Sequence, residues 1–163
     1  MDEGLTLLIL VLAGIPTLVA FFVVLEVLFP HVVESTRQVA EETAARSFAL
    51  GLVNGLFLGA VALALFALGE SVGSDLFGLL GLLVLALLAL GITFGLVGMV
   101  QLIGTRLAPG GSSLRRTLLG AVALVLAILT PFVGWFGLFP YVALRGLGGF
   151  VVSRVRSRAA AAR

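Results

Sequence analysis

The sequence predicts an all-α integral membrane protein with about five transmembrane helices, an external N-terminus and a cytoplasmic C-terminus. Hydrophobic residues make up 61% of the 163 residues and charged residues only 11%, whereas a soluble domain carries about a quarter charged residues. Long stretches also lack ionisable side chains: residues 76–102 contain none, and residues 5–29 contain only Glu26. A chain with so little polar surface is expected to present most of its surface to lipid.

Five apolar segments are candidates for crossings, because about 20 apolar residues span a bilayer core of roughly 30 Å. Together they form a single polytopic domain, with segments at 5–29, 48–68, 76–103, 117–131 and 136–152. The last two are short, and prolines at 131 and 140 interrupt them. Two full crossings and a re-entrant pair are therefore both open for this part of the chain.

The distribution of arginine favours five crossings, because cytoplasmic loops are enriched in positive charge. The N-terminal tail, the second loop and the fourth loop contain no arginine. The other loops and the tail at 153–163 contain Arg37, Arg46, Arg106, Arg115, Arg116, Arg154, Arg156, Arg158 and Arg163. This alternation predicts a multi-pass protein of the cell (inner, cytoplasmic) membrane. The arginine-rich tail is expected to lie beside anionic lipid, and we expect no nucleic-acid partner.

The first cytoplasmic loop, residues 31–47, has apolar residues at three- and four-residue spacing. Its charges allow i,i+4 pairs between Arg37 and Glu41 and between Glu42 and Arg46. The pattern predicts an amphipathic helix at the inner interface, or a cytoplasmic extension of the second span. A solvated connector and a partner-binding surface are both compatible with it.

Glycines recur four residues apart in two of the predicted spans: Gly51, Gly55 and Gly59 in the second, and Gly91 and Gly95 in the third. Small residues at this spacing let helix backbones approach closely, and close packing replaces the hydrophobic effect as the force that joins helices in lipid. We expect these glycines to pack helices within one chain, with self-association as the alternative.

Few polar side chains lie within the predicted spans. Glu26 and Arg145 both fall in the inner leaflet, where isolated charges are costly, so an ion pair between them is the main structural hypothesis. The alternative is that each extends separately to the interface. Asn54, Thr93 and Gln101 are expected to form interhelical hydrogen bonds or, in a channel, to line a polar path.

Aromatic residues cluster at the predicted outer boundary, where Trp135 and Tyr141 are expected to form an interface belt with Phe136 and Phe139. The residue types that catalysis requires are scarce, since the chain has no cysteine and one histidine, His31. HExxH and phosphate-binding Gly-Lys-Ser/Thr motifs are also missing from the sequence. The sequence therefore predicts no enzyme, no metal site and no cofactor, although a cofactor held by apolar contacts alone would leave no pattern.

The break Pro-Phe-Val-Gly-Trp at 131–135, between two apolar helices, resembles part of a prokaryotic membrane module linked to bactofilin-like polymer-forming proteins. The sequences LFP at 28–30 and RSFALGL at 46–52 resemble the earlier part of that module. The resemblance implies a membrane anchor or scaffold without catalytic residues. The chain departs from it by lacking a repetitive β-helical segment, and its third span lacks the Gly-Ile-Pro element of that module, since Thr93 follows Ile92.

Two functions follow from these patterns. The leading one is a small non-enzymatic anchor, scaffold or accessory subunit of a larger membrane assembly, whose partners are the lipid bilayer and a membrane protein or a second copy. The alternative is an ion or small-solute channel or transporter, in one chain or a homo-oligomer. Its path would be lined by the polar residues of the spans, Glu26, Asn54, Thr93 and Gln101.

Overall fold

The computed structural model describes residues 3–130 and 132–161, and these residues are almost entirely helical, with no strand among them. The helices are α1 (Glu3–Leu28), α2 (Pro30–Glu42), α3 (Ala44–Val72), α4 (Asp75–Leu107), α5 (Ser113–Ile128) and α6 (Phe139–Ala161). A six-residue π-helix, Val133–Leu138, precedes α6. The predicted all-α class is confirmed for the described part of the chain.

Three helical stretches are each long and apolar enough to cross a membrane: α3, α4, and Val133–Ser157, which joins the π-helix to most of α6. Ala13–Leu28 and Pro30–Glu42 meet the same criteria together, but the chain bends by 103° between them. Helix α5 has 16 residues, which extend about 24 Å. The described residues thus contain three to four helices suited to spanning a membrane.

The bend between α1 and α2 lies at Phe29 and Pro30. Proline at the first position of a helix loses no hydrogen bond, because that N–H would have no intrahelical partner. Proline also disfavours the helical conformation for the residue before it, and Phe29 adopts φ −131° and ψ 52°. Pro30 therefore ends α1 and begins α2, which packs against α4 and α6.

The predicted amphipathic segment 31–47 forms α2 and the first turn of α3. The buried residues of α2 recur at three- and four-residue spacing and are Val33, Thr36, Val39 and Ala40. Because α2 packs against α4 and α6, this apolar face is covered by the chain's own helices.

Of the two ion pairs predicted for that segment, one forms. Arg37 Nη1 lies 2.8 Å from Glu41 Oε2. The Glu42–Arg46 pair does not form, because α2 ends at Glu42 and the next residue leaves the helical conformation, so these two side chains no longer share one helix. Glu42 instead contacts Arg156 on α6, with 3.1 Å between Oε2 and Nη1.

Helix α4 is the central helix and packs against all five other α-helices. Residues 97–102 of α4 are buried, whereas most leucines between 76 and 90 are exposed. Helices α3 and α4 form an antiparallel hairpin. The turn between them contains Gly73 at φ 65°, a left-handed conformation that glycine adopts without strain.

Two of the predicted packing glycines on α3 contact α6. A Cβ atom on Gly51 would overlap the backbone carbonyl of Leu144 and lie 2.9 Å from the amide nitrogen of Gly148. A Cβ on Gly55 would make ordinary contact with the side chain of Leu144 at 3.5 Å. Gly59 has open space where its side chain would be, so it does not take part in this packing.

The glycines on α4 contact the same part of α6. Gly95 packs directly against the backbone of Gly146, and a Cβ on Gly91 would lie 2.8 Å from a methyl group of Leu147. Two further close approaches join α4 to α5, since Gly104 and Gly120 each pack against backbone of the other helix. These last two glycines lie on different segments, so four-residue spacing within one span could not reveal them.

Candidate functional site: a buried polar cluster between α1, α4 and α5

Four polar side chains meet where α1, α4 and α5 converge. Glu26 comes from the last turn of α1, Gln101 from the buried half of α4, and Ser113 and Thr117 from the first two turns of α5. Ser113 and Thr117 share a face of α5 because they are four residues apart. Glu26 is 5% exposed, Gln101 3% and Thr117 0%. These three polar side chains are therefore buried inside an apolar helix bundle.

The amide of Gln101 is the centre of the hydrogen-bond network. Its Nε2 donates to Ser113 Oγ at 2.9 Å and to Thr117 Oγ1 at 3.2 Å, and also contacts Glu26 Oε1. Ser113 Oγ donates to the same Glu26 oxygen. Three oxygens from α1 and α5 therefore surround one amide group of α4, although that NH₂ group has only two hydrogens to donate.

The two oxygens of the Glu26 carboxylate have different surroundings, since Oε1 has hydrogen-bond donors and Oε2 has none. Ser113 is the first residue of α5, and the N-terminus of a helix carries a partial positive charge that stabilises a nearby carboxylate. The second carboxylate oxygen, Glu26 Oε2, is buried without a hydrogen-bond partner. A buried carboxylate that is not fully compensated is costly. Among the described side chains, the other buried polar atom without a partner is Arg116 Nε.

The predicted ion pair between Glu26 and Arg145 does not form. Arg145 Nη2 and Nε donate to the backbone carbonyl of Ala40 at 2.8 and 3.2 Å, and Nη1 donates to the hydroxyl of Tyr141 at 3.1 Å. Ala40 lies in the last turn of α2, whose carbonyls have no intrahelical partners. Arg145 therefore joins α6 to the end of α2, and Glu26 is bound by α4 and α5.

Of the three residues expected to bond between helices, only Gln101 does so. Asn54 Nδ2 donates to Leu50 O at 2.8 Å, and Thr93 Oγ1 donates to Ala89 O at 2.8 Å. Both bonds run to the carbonyl four residues earlier in the same helix. The structure therefore does not join Asn54 and Thr93 to Glu26 and Gln101 in one hydrogen-bonded path.

The two residues predicted for an aromatic belt occupy different environments. Trp135 is exposed and borders an apolar groove of about 250 Å³ between α1 and α5, whose other walls include Leu18 and Ile128. Tyr141 stacks on Phe48 of α3 with 5.5 Å between ring centroids, and its hydroxyl accepts a hydrogen bond from Arg145. Tyr141 therefore packs α6 against α3.

A separate charged network lies on the exposed side of α2. Arg37 donates to both carboxylate oxygens of Glu34, at 2.6 and 3.0 Å, and pairs with Glu41. The hydrogen bond from Arg37 lowers the pKa of Glu34, and the same contact raises the pKa of Arg37. Because the pKa of Glu34 is lowered by folding, its contribution to stability is present above its unfolded pKa and is lost as the pH falls.

Ser113 and Thr117 are not predicted from the sequence, in which Ser113 falls between two apolar segments and Thr117 begins the segment 117–131. The available signal was a pair of hydroxyl residues four apart at the start of a short helix. Among the described residues, no three His, Cys, Asp or Glu side chains lie close enough together to hold one metal ion. Any cation bound within the bundle would therefore rely on mixed carboxylate, amide and hydroxyl oxygens, as in this cluster.

A comparison of the chain with protein-family models, with curated proteins and with solved structures found no match. The resemblance to the bactofilin-associated membrane module therefore stays a prediction.

Proposed function

We propose that this chain is a non-enzymatic anchor, scaffold or accessory subunit that packs against another protein within the membrane. The observation that carries the proposal is a row of leucines along α4. Leu79, Leu83, Leu87 and Leu90 are between 54% and 63% exposed. Their spacing of four, four and three residues places them on one face of the helix.

This row has the spacing by which helices pack against one another, with apolar residues alternating at three- and four-residue intervals. The inner half of α4 is already covered by α2, α5 and α6, so the available face lies on the outer half of the α3–α4 hairpin. A membrane partner, or a second copy, that packs along this row would be anchored by helix contacts alone, and this role needs no catalytic residue. The resemblance to a membrane module of polymer-forming proteins supports the same role.

A channel formed by one chain is less well supported. Asn54 and Thr93 satisfy their hydrogen-bonding groups on their own helices, and Glu26 and Gln101 are buried in a compact cluster. A conducting path needs polar groups that face a continuous water-filled space, which these positions do not line together.

The mass of the complex extracted gently from native membranes tests the proposal. We expect a defined assembly larger than one chain. The natural chain has no cysteine, so a Leu83→Cys variant allows crosslinking at a single position of the leucine row. It should give one product of defined mass, whereas the matched control Val100→Cys, at a position that is 0% exposed, should give none. A monomer in native lipid with no crosslinked product would contradict the proposed role.

We further propose five crossings in the cell membrane, with the N-terminus outside and the C-terminus inside. The alternation of arginine supports this topology. Helix α5 runs antiparallel to α4, since Gly104 packs on Arg116 and Gly120 on Val100. The 16 residues of α5 make the fourth crossing the part of the topology that most needs a direct test.

Single cysteines provide that test. We expect Ser71→Cys and Val133→Cys to react with an impermeant maleimide added outside intact cells, because both positions are exposed and would lie at the external ends of their helices. Ser112→Cys should react with the maleimide only after the membrane is permeabilised. If Val133→Cys also reacts only after opening, α5 and the following helix form a re-entrant pair.

A further inference from the structure

We propose that Glu26, Gln101, Ser113 and Thr117 form a binding site for one small monovalent cation of the sodium type. This inference does not depend on the proposed anchoring function, because it rests on the chemistry of the buried cluster alone. Each of the four side chains contributes an oxygen, and three helices that are far apart in the sequence bring them together.

The first argument is the free capacity of the carboxylate. Glu26 Oε1 receives donors from Gln101 and Ser113, while Glu26 Oε2 is buried and has no partner. The described residues contain three ion pairs, and none of them includes Glu26. A buried carboxylate is tolerated when it is paired or binds a metal ion, and a cation would supply the missing compensation.

The second argument is charge balance. One carboxylate and three neutral side chains carry a single negative charge, so a monovalent cation gives a neutral complex in a medium of low dielectric constant. A calcium ion takes six to eight oxygen ligands, often from several carboxylates, and a magnesium ion usually keeps several waters. Either would leave a net positive charge in the bundle, which makes a divalent ion a poor fit.

The third argument is the position of Gln101. Its Nε2 group lies where Glu26, Ser113 and Thr117 direct their oxygens. A half-turn of the terminal amide exchanges the NH₂ group for the carbonyl oxygen, because the two ends of an amide have nearly the same shape. After that rotation the amide oxygen takes the place of Nε2, and a small shift of the Gln101 side chain would let a cation lie between this oxygen and those of Glu26, Ser113 and Thr117. The two hydroxyls then bind the cation through their lone pairs.

The site also has an entrance. Ser113 is exposed, whereas the other three residues are buried. Ser113 begins α5 directly after the loop 108–112 that follows α4. A cation can therefore reach Glu26 from the aqueous side of this loop without crossing the apolar bundle, and its binding would hold α1, α4 and α5 together.

Thermal unfolding of the purified full-length protein in sodium chloride, compared with N-methylglucamine chloride at equal ionic strength, tests the site. At a sodium concentration 100 times the dissociation constant, we expect the folded-to-unfolded ratio to rise about 100-fold. Glu26→Gln should abolish the sodium effect, and the matched control Glu70→Gln, at an exposed carboxylate of α3, should retain it. An equal sodium effect in the Glu26→Gln variant would overturn the proposal.

A second measurement needs no variant at Glu26. A hydrophobic carbodiimide modifies buried carboxyl groups, and mass spectrometry of peptides from the treated natural chain locates the adduct. We expect sodium to slow modification of Glu26, and the half-protecting concentration to rise about 10-fold in Thr117→Val, which corresponds to about 1.4 kcal/mol of lost binding. A rate of modification that is the same with and without sodium would overturn the proposal even if Glu26→Gln does not fold.

Discussion

Gly51→Ala is expected to destabilise the folded bundle strongly, while Gly59→Ala leaves it intact or slightly more stable. The added methyl group at position 51 would overlap the Leu144 carbonyl and lie 2.9 Å from the Gly148 amide nitrogen. Both are backbone atoms, which cannot move aside as a flexible side chain can. Overpacking of this kind costs about 3 kcal/mol.

Gly59 is the matched control because it lies on the same helix, two turns away, with open space around its Cβ position. Alanine at such a position gains about 1 kcal/mol of helix propensity over glycine. Thermal unfolding of both variants in the same detergent measures the difference. Equal midpoints for the two variants would mean that α3 and α6 do not pack as described.

Gln101→Leu is expected to have an effect of similar size in the polar cluster. Among the described residues, Gln101 provides one of the two donors to Glu26 and the one partner of Thr117 Oγ1. Removing one partner of a buried charged group costs about 3 to 5 kcal/mol, because the remaining charge is left uncompensated. The expected observation is a lower midpoint of thermal unfolding, or a loss of folded protein that can be extracted from the membrane.

The double variant Glu26→Met, Gln101→Leu separates this cause from a simple packing defect. Replacing both members of a buried polar pair with apolar residues is often close to neutral, so the double variant should recover most of the stability lost in Gln101→Leu. Thr117 then bonds within its own helix, as threonine commonly does. If the double variant is less stable than Gln101→Leu, the cluster stabilises the fold through more than compensation of Glu26.

The helices were predictable because their signals are local. Length and the absence of charge between 76 and 102 predict the long helix α4, and the three- and four-residue spacing of Val33, Thr36 and Ala40 predicts α2. The glycine pattern of α3 and α4 indicates which faces of these helices pack. It does not indicate that α6 packs against both faces. Gly59 shows the limit of the pattern, because the same spacing continues past the point where the helices separate.

The partners of the polar residues were not predictable in the same way. Glu26 and Arg145 have opposite charges at similar depth, yet Arg145 binds the free carbonyl of Ala40, and Glu26 binds Gln101 and Ser113. Hydrogen bonding to an unpaired backbone carbonyl competes with ion pairing. The carbonyl of Ala40 is unpaired within its helix only because α2 ends at Glu42. No pattern of charges along the chain contains this information.

Composition and spacing by themselves determined that this protein is helical, that several of its helices suit a membrane, and that two of them carry glycine faces. Only the tertiary structure decided that Glu26, Gln101, Ser113 and Thr117 share one buried cluster. The physical reason is the range of the interactions. Helix formation and amphipathicity depend on residues within one or two turns, whereas this cluster joins residues 12 to 87 positions apart through the crossing of three helices.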